Sequence, residues 1–182
     1  MEQALEIIKR KHKSYVLALK KMAEKIRPEI LAFEGEVVRW YKGFGVFMEA
    51  NQSWVESKRK TSPMAAFKGK GSNSREIEKA TLLLGKTIDD TNNFLDEYTV
   101  FTKKYIKFNK DFDKHATAME KNNAYYKAGK FDNPKKAQKT MDLFDEMHDF
   151  KKRSDLINRE QRLLMKRFQK LQSQLNILKG KN

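Results

Sequence analysis

The sequence predicts an all-α protein, an elongated, antiparallel three-helix coiled coil with a kink in its first helix. Three observations carry this expectation. Apolar residues recur at alternating steps of three and four over most of the chain, the period of a helix seam. Only three prolines and eight glycines punctuate 182 residues, which leaves few places to turn. Strand signals are scarce.

The first helix is expected over residues 2–59. Its seam opens with Leu5, Ile8, His12, Tyr15, Leu19, Met22 and Ile26. Pro28 then intervenes. A proline in a helix interior removes a hydrogen bond and crowds the preceding turn, so a kink or a fresh helix start is expected there. The seam resumes with Ile30, Phe33, Val37, Trp40, Phe44, Phe47, Asn51 and Trp54. Successive four-residue steps at Met22, Ile26 and Ile30 shift its register like a stutter.

Residues 60–74, KTSPMAAFKGKGSNS, hold Pro63, Gly69 and Gly71 and read as a connection. Ser74 suits the N-cap of a second helix over 75–127, with Glu76 in its first turn. That helix carries Ile77, Leu84, Ile88, Leu95, Tyr98, Tyr105, Phe112, Met119 and Tyr126, thickened by Phe94, Phe101 and Phe108. A turn follows in KAGKFDNPKKAQK, residues 127–139, and a third helix is expected over 134–179. Its seam runs through Leu143, Met147, Phe150, Ser154, Ile157, Gln161, Leu164, Phe168, Leu171, Leu175 and Leu178. Helices of about 45 to 58 residues extend on the order of 65 to 85 Å each. Short connections make neighbours antiparallel, and the whole of 1–182 reads as one helical domain.

Charge bears on partners more than on fold. The chain holds 39 basic and 24 acidic residues, a formal net charge of +15. That excess favours nucleic acid, an anionic membrane or an acidic protein. Cysteine is absent, which removes disulfides, thiolate metal sites and cysteine nucleophiles, and fits a reducing compartment. The N-terminal MEQALEIIKRKHK lacks the apolar core of a signal peptide. No apolar run approaches the roughly 18 residues of a membrane span. The expected location is cytoplasmic, free or on a membrane surface.

The positive charge is patterned. Lys103, Lys107, Lys110, Lys114 and Lys121 fall at steps of four, three, four and seven, opposite the Tyr98, Tyr105, Phe112 and Met119 seam. Asp111, Asp113 and Glu120 sit on the flanks of that stripe. Lys127, Lys130, Lys135, Lys136 and Lys139 continue the charge around the turn, and Lys152, Arg159 and Lys166 repeat at sevens on the third helix. A charged face opposite a core is ordinarily only solvated, with both signs interspersed. This stripe carries one sign along its centre line, so binding to a polyanion is expected of it. Leu156 and Leu163 repeat at seven off the seam, toward solvent. Two leucines in register point to a second neighbour, most simply a homodimer.

Catalysis is not expected, and neither is a metal or cofactor. His12, His115 and His148 lie in different helices without a recurring partner, and one Asp145/His148 spacing is far from a bundle di-iron set. GKGSNS at 69–74 lacks the strand and spacing of a phosphate loop.

The stretch YIKFNKDFDKHATAMEKNNAYYKAGKFDNPKKAQKTMDLFDEMHDFKKRSDLINRE, residues 105–160, resembles the second and third helices of the BAR domain family of membrane-curvature proteins. The likeness includes an aspartate-aromatic-aspartate-lysine element at Asp111, Phe112, Asp113 and Lys114, a lysine-rich tip, and an acidic start to the third helix. WYKGFGVFMEANQSWVES, residues 40–57, is similar to the end of that family's first helix. The chain is short for the family and lacks the proline often found within its second helix.

The resemblance implies a crescent-shaped homodimer acting in endocytosis or membrane trafficking, its basic concave face and tips pressed on anionic phospholipid. The tip would then be Lys127, Lys130, Lys135, Lys136 and Lys139, and the concave face would draw on Lys107, Lys110, Lys114 and Lys121. Residues 2–26 offer an amphipathic membrane wedge as a variant, although their clean seam favours packing within the bundle. The alternative is a basic bundle that binds nucleic acid or a helical protein. Against nucleic acid, the aromatics stay on the core seam and lysine far outnumbers arginine.

Overall fold

The computed structural model describes residues 2–53, 74–127 and 133–180. They form three helices: α1 (Glu2–Ala50), α2 (Ser74–Lys127) and α3 (Pro134–Leu178). No strand occurs among the described residues, and the three helices pack on one another.

Both ends of α3 follow local chemistry. Asn133 precedes Pro134, and its Oδ1 accepts from the backbone N–H groups of Lys135 at 3.1 Å and Lys136 at 3.3 Å. An asparagine N-cap before a proline at the first helical position satisfies donors that the helix itself cannot. At the other end Gly180 takes φ 67°, the left-handed conformation that closes helices, and its N–H bonds the Ile177 carbonyl at 3.0 Å.

Of the two alternatives expected at Pro28, the fresh start is not taken: α1 passes through it as one helix, with Ile26 and Ile30 buried on either side. A turn at Asn51 then closes α1 at Ala50, inside the expected 2–59 span. The Asn51 N–H is shared between the carbonyls of Phe47 and Met48, and its side-chain amide donates to Phe47 O at 2.8 Å. An asparagine that bonds the backbone locally competes with helix continuation. Gln52 and Ser53 are helical again, while residues 54–59 and the 60–73 connection lie outside the described residues.

The packing gathers the chain into two compact units, each containing a piece of every helix. The first comprises Met1–Ile30 and Val100–Gln161, and the second Leu31–Thr99 and Arg162–Asn182. In the first, Phe108, Phe112 and Phe150 form an aromatic cluster, with Phe150 edge-on to both α2 rings at 6.0 and 5.8 Å. Tyr15 of α1 packs on Phe144 at 4.8 Å. Leu19 and Ile26 are buried, so this part of α1 belongs to the bundle core. Near the α2–α3 turn the core becomes polar, and buried Asn122 donates to the Thr140 hydroxyl at 2.8 Å.

In the second unit Phe168 is the centre. It meets Phe33 and Trp40 edge-on at 5.7 and 5.8 Å and stacks on Phe94 at 5.7 Å. Thr87 and Thr91, buried on α2, donate to the carbonyls four residues back, at 2.7 and 2.6 Å. The expected seam centre shifts here. Ile88, Leu95 and Tyr98 are half-buried, whereas Phe94 is buried. A helix that faces two neighbours buries a stripe wider than one heptad line.

Candidate functional site

The lysine stripe lies within the first unit, on α2. Lys103, Lys107, Lys110, Lys114 and Lys121 are all exposed. Among the described residues none of the five lies within ion-pair distance of a carboxylate. Two of their three flanking acids, Asp111 and Asp113, are occupied by arginines instead. Asp111 accepts a 2.8 Å hydrogen bond from Arg153 Nη2 of α3. Asp113 pairs with Arg27 of α1. The guanidinium of Arg153 also lies over the rings of Phe108 and Phe150, at 5.6 and 5.0 Å, and that of Arg27 over Phe112 at 5.9 Å.

These contacts explain the aspartate-aromatic-aspartate-lysine element physically. Phe112 enters the core, and each neighbouring acid turns to a different helix and is held by an arginine there. Lys114 is left outward. Arginine's planar fork suits a carboxylate beside an aromatic face, which the point charge of lysine does not. The division of labour is sharp: the two arginines bind the helices together, and the five stripe lysines stay without an ion-pair partner among the described residues. Lys104, one turn off the stripe, is the contrast, since it pairs with Glu160 of α3 at 2.8 Å.

The Asp111 carboxyl titrates below its usual value, first because of the Arg153 hydrogen bond, with the charges of Arg153, Lys107 and Lys114 adding to it. A lowered folded-state value means that this carboxylate favours the fold above the ordinary aspartate range. That contribution is lost as pH falls below about 4 and through the folded value. Arg153→Met is expected to move the Asp111 titration back up toward that of an ordinary aspartate. Carboxyl carbon NMR shifts followed from pH 6 to 2 measure this directly.

Around the turn, Lys135, Lys136 and Lys139 are exposed. The Lys136 ammonium stands 4.4 Å from the ring centroid of Tyr125, a cation–π contact that tethers the start of α3 to the end of α2. Lys127 closes α2, but its side chain and all of Lys130 lie outside the described residues. Leu156 and Leu163 are exposed, at 58% and 54%, Leu156 in the first unit and Leu163 in the second.

Two histidines have partners that the sequence spacing did not reveal. His115, with its side chain 1% exposed, bonds Glu146 Oε2 through Nδ1 at 2.8 Å. A carboxylate only accepts, so Nδ1 carries the proton, and Nε2 is left buried without a hydrogen-bond partner among the described residues. His148 Nε2 bonds the Tyr15 hydroxyl at 3.1 Å rather than pairing with Asp145. Among the described residues no cluster of three or more histidines or acids has metal-site geometry, and no helix is long and apolar enough to cross a membrane.

No family model, curated protein or solved structure matches the chain.

Proposed function

We propose that this protein is a peripheral, cytoplasmic membrane-binding scaffold of the BAR type. On this reading it is a homodimeric, antiparallel three-helix coiled coil, bent at Pro28, that binds anionic lipid through its lysine face and hairpin end and senses or generates curvature. The observation that carries the reading is the α2 stripe: five exposed lysines without an ion-pair partner among the described residues, with Asp111 and Asp113 beside them already held by Arg153 and Arg27.

Several features support it. In the first unit Lys104, Asp111, His115 and Asn122 of α2 meet Glu160, Arg153, Glu146 and Thr140 of α3, so partner numbers fall as α2 numbers rise. That is the order an antiparallel pair requires. In the second unit, exposed Leu31, Val38 and Val46 of α1 and Leu163 of α3 offer apolar surface for a second copy. Basic side chains near an anionic leaflet contribute roughly 1 kcal/mol each, and a dimer doubles their number without any specific pocket. Nucleic acid fits less well, because the two arginines beside the stripe are committed to carboxylates and the aromatics of the same stretch of α2, Phe101, Tyr105, Phe108 and Phe112, are buried.

Co-sedimentation with liposomes near physiological salt tests the reading. Binding is expected to vesicles containing phosphatidylserine or phosphoinositide and not to neutral ones, and to weaken steeply as salt shortens the Debye length. Changing all five tip lysines to glutamate is expected to weaken it further, and electron microscopy of the bound vesicles reports curvature. Absence of binding to every vesicle would overturn the proposal, and so would binding to duplex DNA alone.

A further inference from the structure

Ile106 lies on the outward side of α2 and is 60% exposed. An aliphatic side chain open to water is ordinary when it stands alone. This one is bracketed. Lys103 precedes it by three residues, Lys107 follows it directly and Lys110 comes four later, all exposed and free of ion pairs among the described residues. Residues three and four apart on a helix are surface neighbours, with Cβ atoms roughly 5 to 6 Å apart. The neighbours of Ile106 by that rule are Thr102, Lys103, Asn109 and Lys110, and none is acidic.

A β-branched aliphatic at the centre of a lysine strip discriminates between polyanions. It neither stacks on a base nor bonds a phosphate, so a nucleic-acid backbone gains nothing from it. An anionic bilayer offers both kinds of contact at different depths, with phosphates at the headgroup level and an acyl boundary about 5 to 10 Å below. Lysine ammonium groups on long stems can stay among the headgroups while the helix settles closer to that boundary. We propose that Ile106 is the apolar contact of the lysine face, entering the headgroup–acyl boundary of an anionic bilayer while Lys103, Lys107 and Lys110 hold phosphates around it. The inference rests on the membrane reading of the same face, and the charge complementarity of the strip selects the bilayer as occupant.

The chain has no cysteine, so Ile106→Cys accepts an environment-sensitive dye at one position. Asp155→Cys, exposed on α3, is the matching control. With phosphatidylserine vesicles the dye at 106 is expected to shift to the blue and to be quenched by lipids carrying bromine on the acyl chain, while the dye at 155 stays in water. Ile106→Gln keeps the size and helix preference and is expected to bind the same vesicles about fivefold more weakly, with melting unchanged. If both variants bind like the wild type and the dye at 106 remains in water, the lysines act alone and this inference is overturned while the membrane reading stands. If the unlabelled wild type binds no vesicle, or binds duplex DNA instead, both fall.

Discussion

Replacing Lys107, Lys110 and Lys114 together by glutamate is expected to weaken binding to anionic vesicles by at least about 100-fold. Each lysine near the leaflet is worth roughly 1 kcal/mol, and reversing its charge adds a repulsion of similar sign and size before screening. Allowing half of that sum to be lost to salt leaves about 3 kcal/mol, where 1.4 kcal/mol is tenfold. The fold has little stake in these side chains, which are exposed and without ion-pair partners among the described residues. Its acids keep their arginines, so the helical signal and unfolding midpoint are expected to stay near wild type. A glutamine triple should fall between the two. Vesicle co-sedimentation beside circular dichroism reads both quantities, and wild-type binding by the glutamate triple would remove the stripe as the contact surface.

Phe168→Ala is expected to cost about 3 to 5 kcal/mol in unfolding free energy, measured by denaturant titration. Phe168 is 2% exposed and meets three other rings, Phe33, Trp40 and Phe94, so truncation leaves a cavity among rigid groups that cannot close over it. Lipid binding of the surviving folded protein should be nearly unchanged, because the lysine stripe belongs to the other compact unit. Together the two experiments separate a surface that binds from a core that folds. A variant lost from vesicles with intact stability and a variant stripped of stability with intact binding would mark the two roles in opposite directions.

Much of the architecture was legible from spacing because its causes are local. The starts and ends of α2 and α3, expected at 75–127 and 134–179, fall at Ser74–Lys127 and Pro134–Leu178. Asn133, Pro134 and Gly180 act on their own backbone and need no distant partner. The α3 seam from Leu143 to Leu175, including Ser154 and Gln161, is buried where its period places it, and Leu178 at the helix end is half-buried. The lysine stripe was visible for the same reason, since a face opposite a strong seam points outward. The turn at Asn51 was not legible because Asn51 stands at a seam position, and the period does not show that its amide turns back to Phe47.

What decides whether that stripe is free charge or neutralised charge is tertiary. The nearest acids in sequence, Asp111 and Asp113, look able to cancel it, yet their partners are Arg153, 42 residues away, and Arg27, 86 residues away. His115 likewise reads as solitary until α3 brings Glu146 to its ring. Helical periodicity assigns each side chain to a face from the chain's own geometry, so inside and outside are written in the order of residues. Which charges meet across helices depends on how the helices pack, and a pairing between distant segments leaves no period in the sequence.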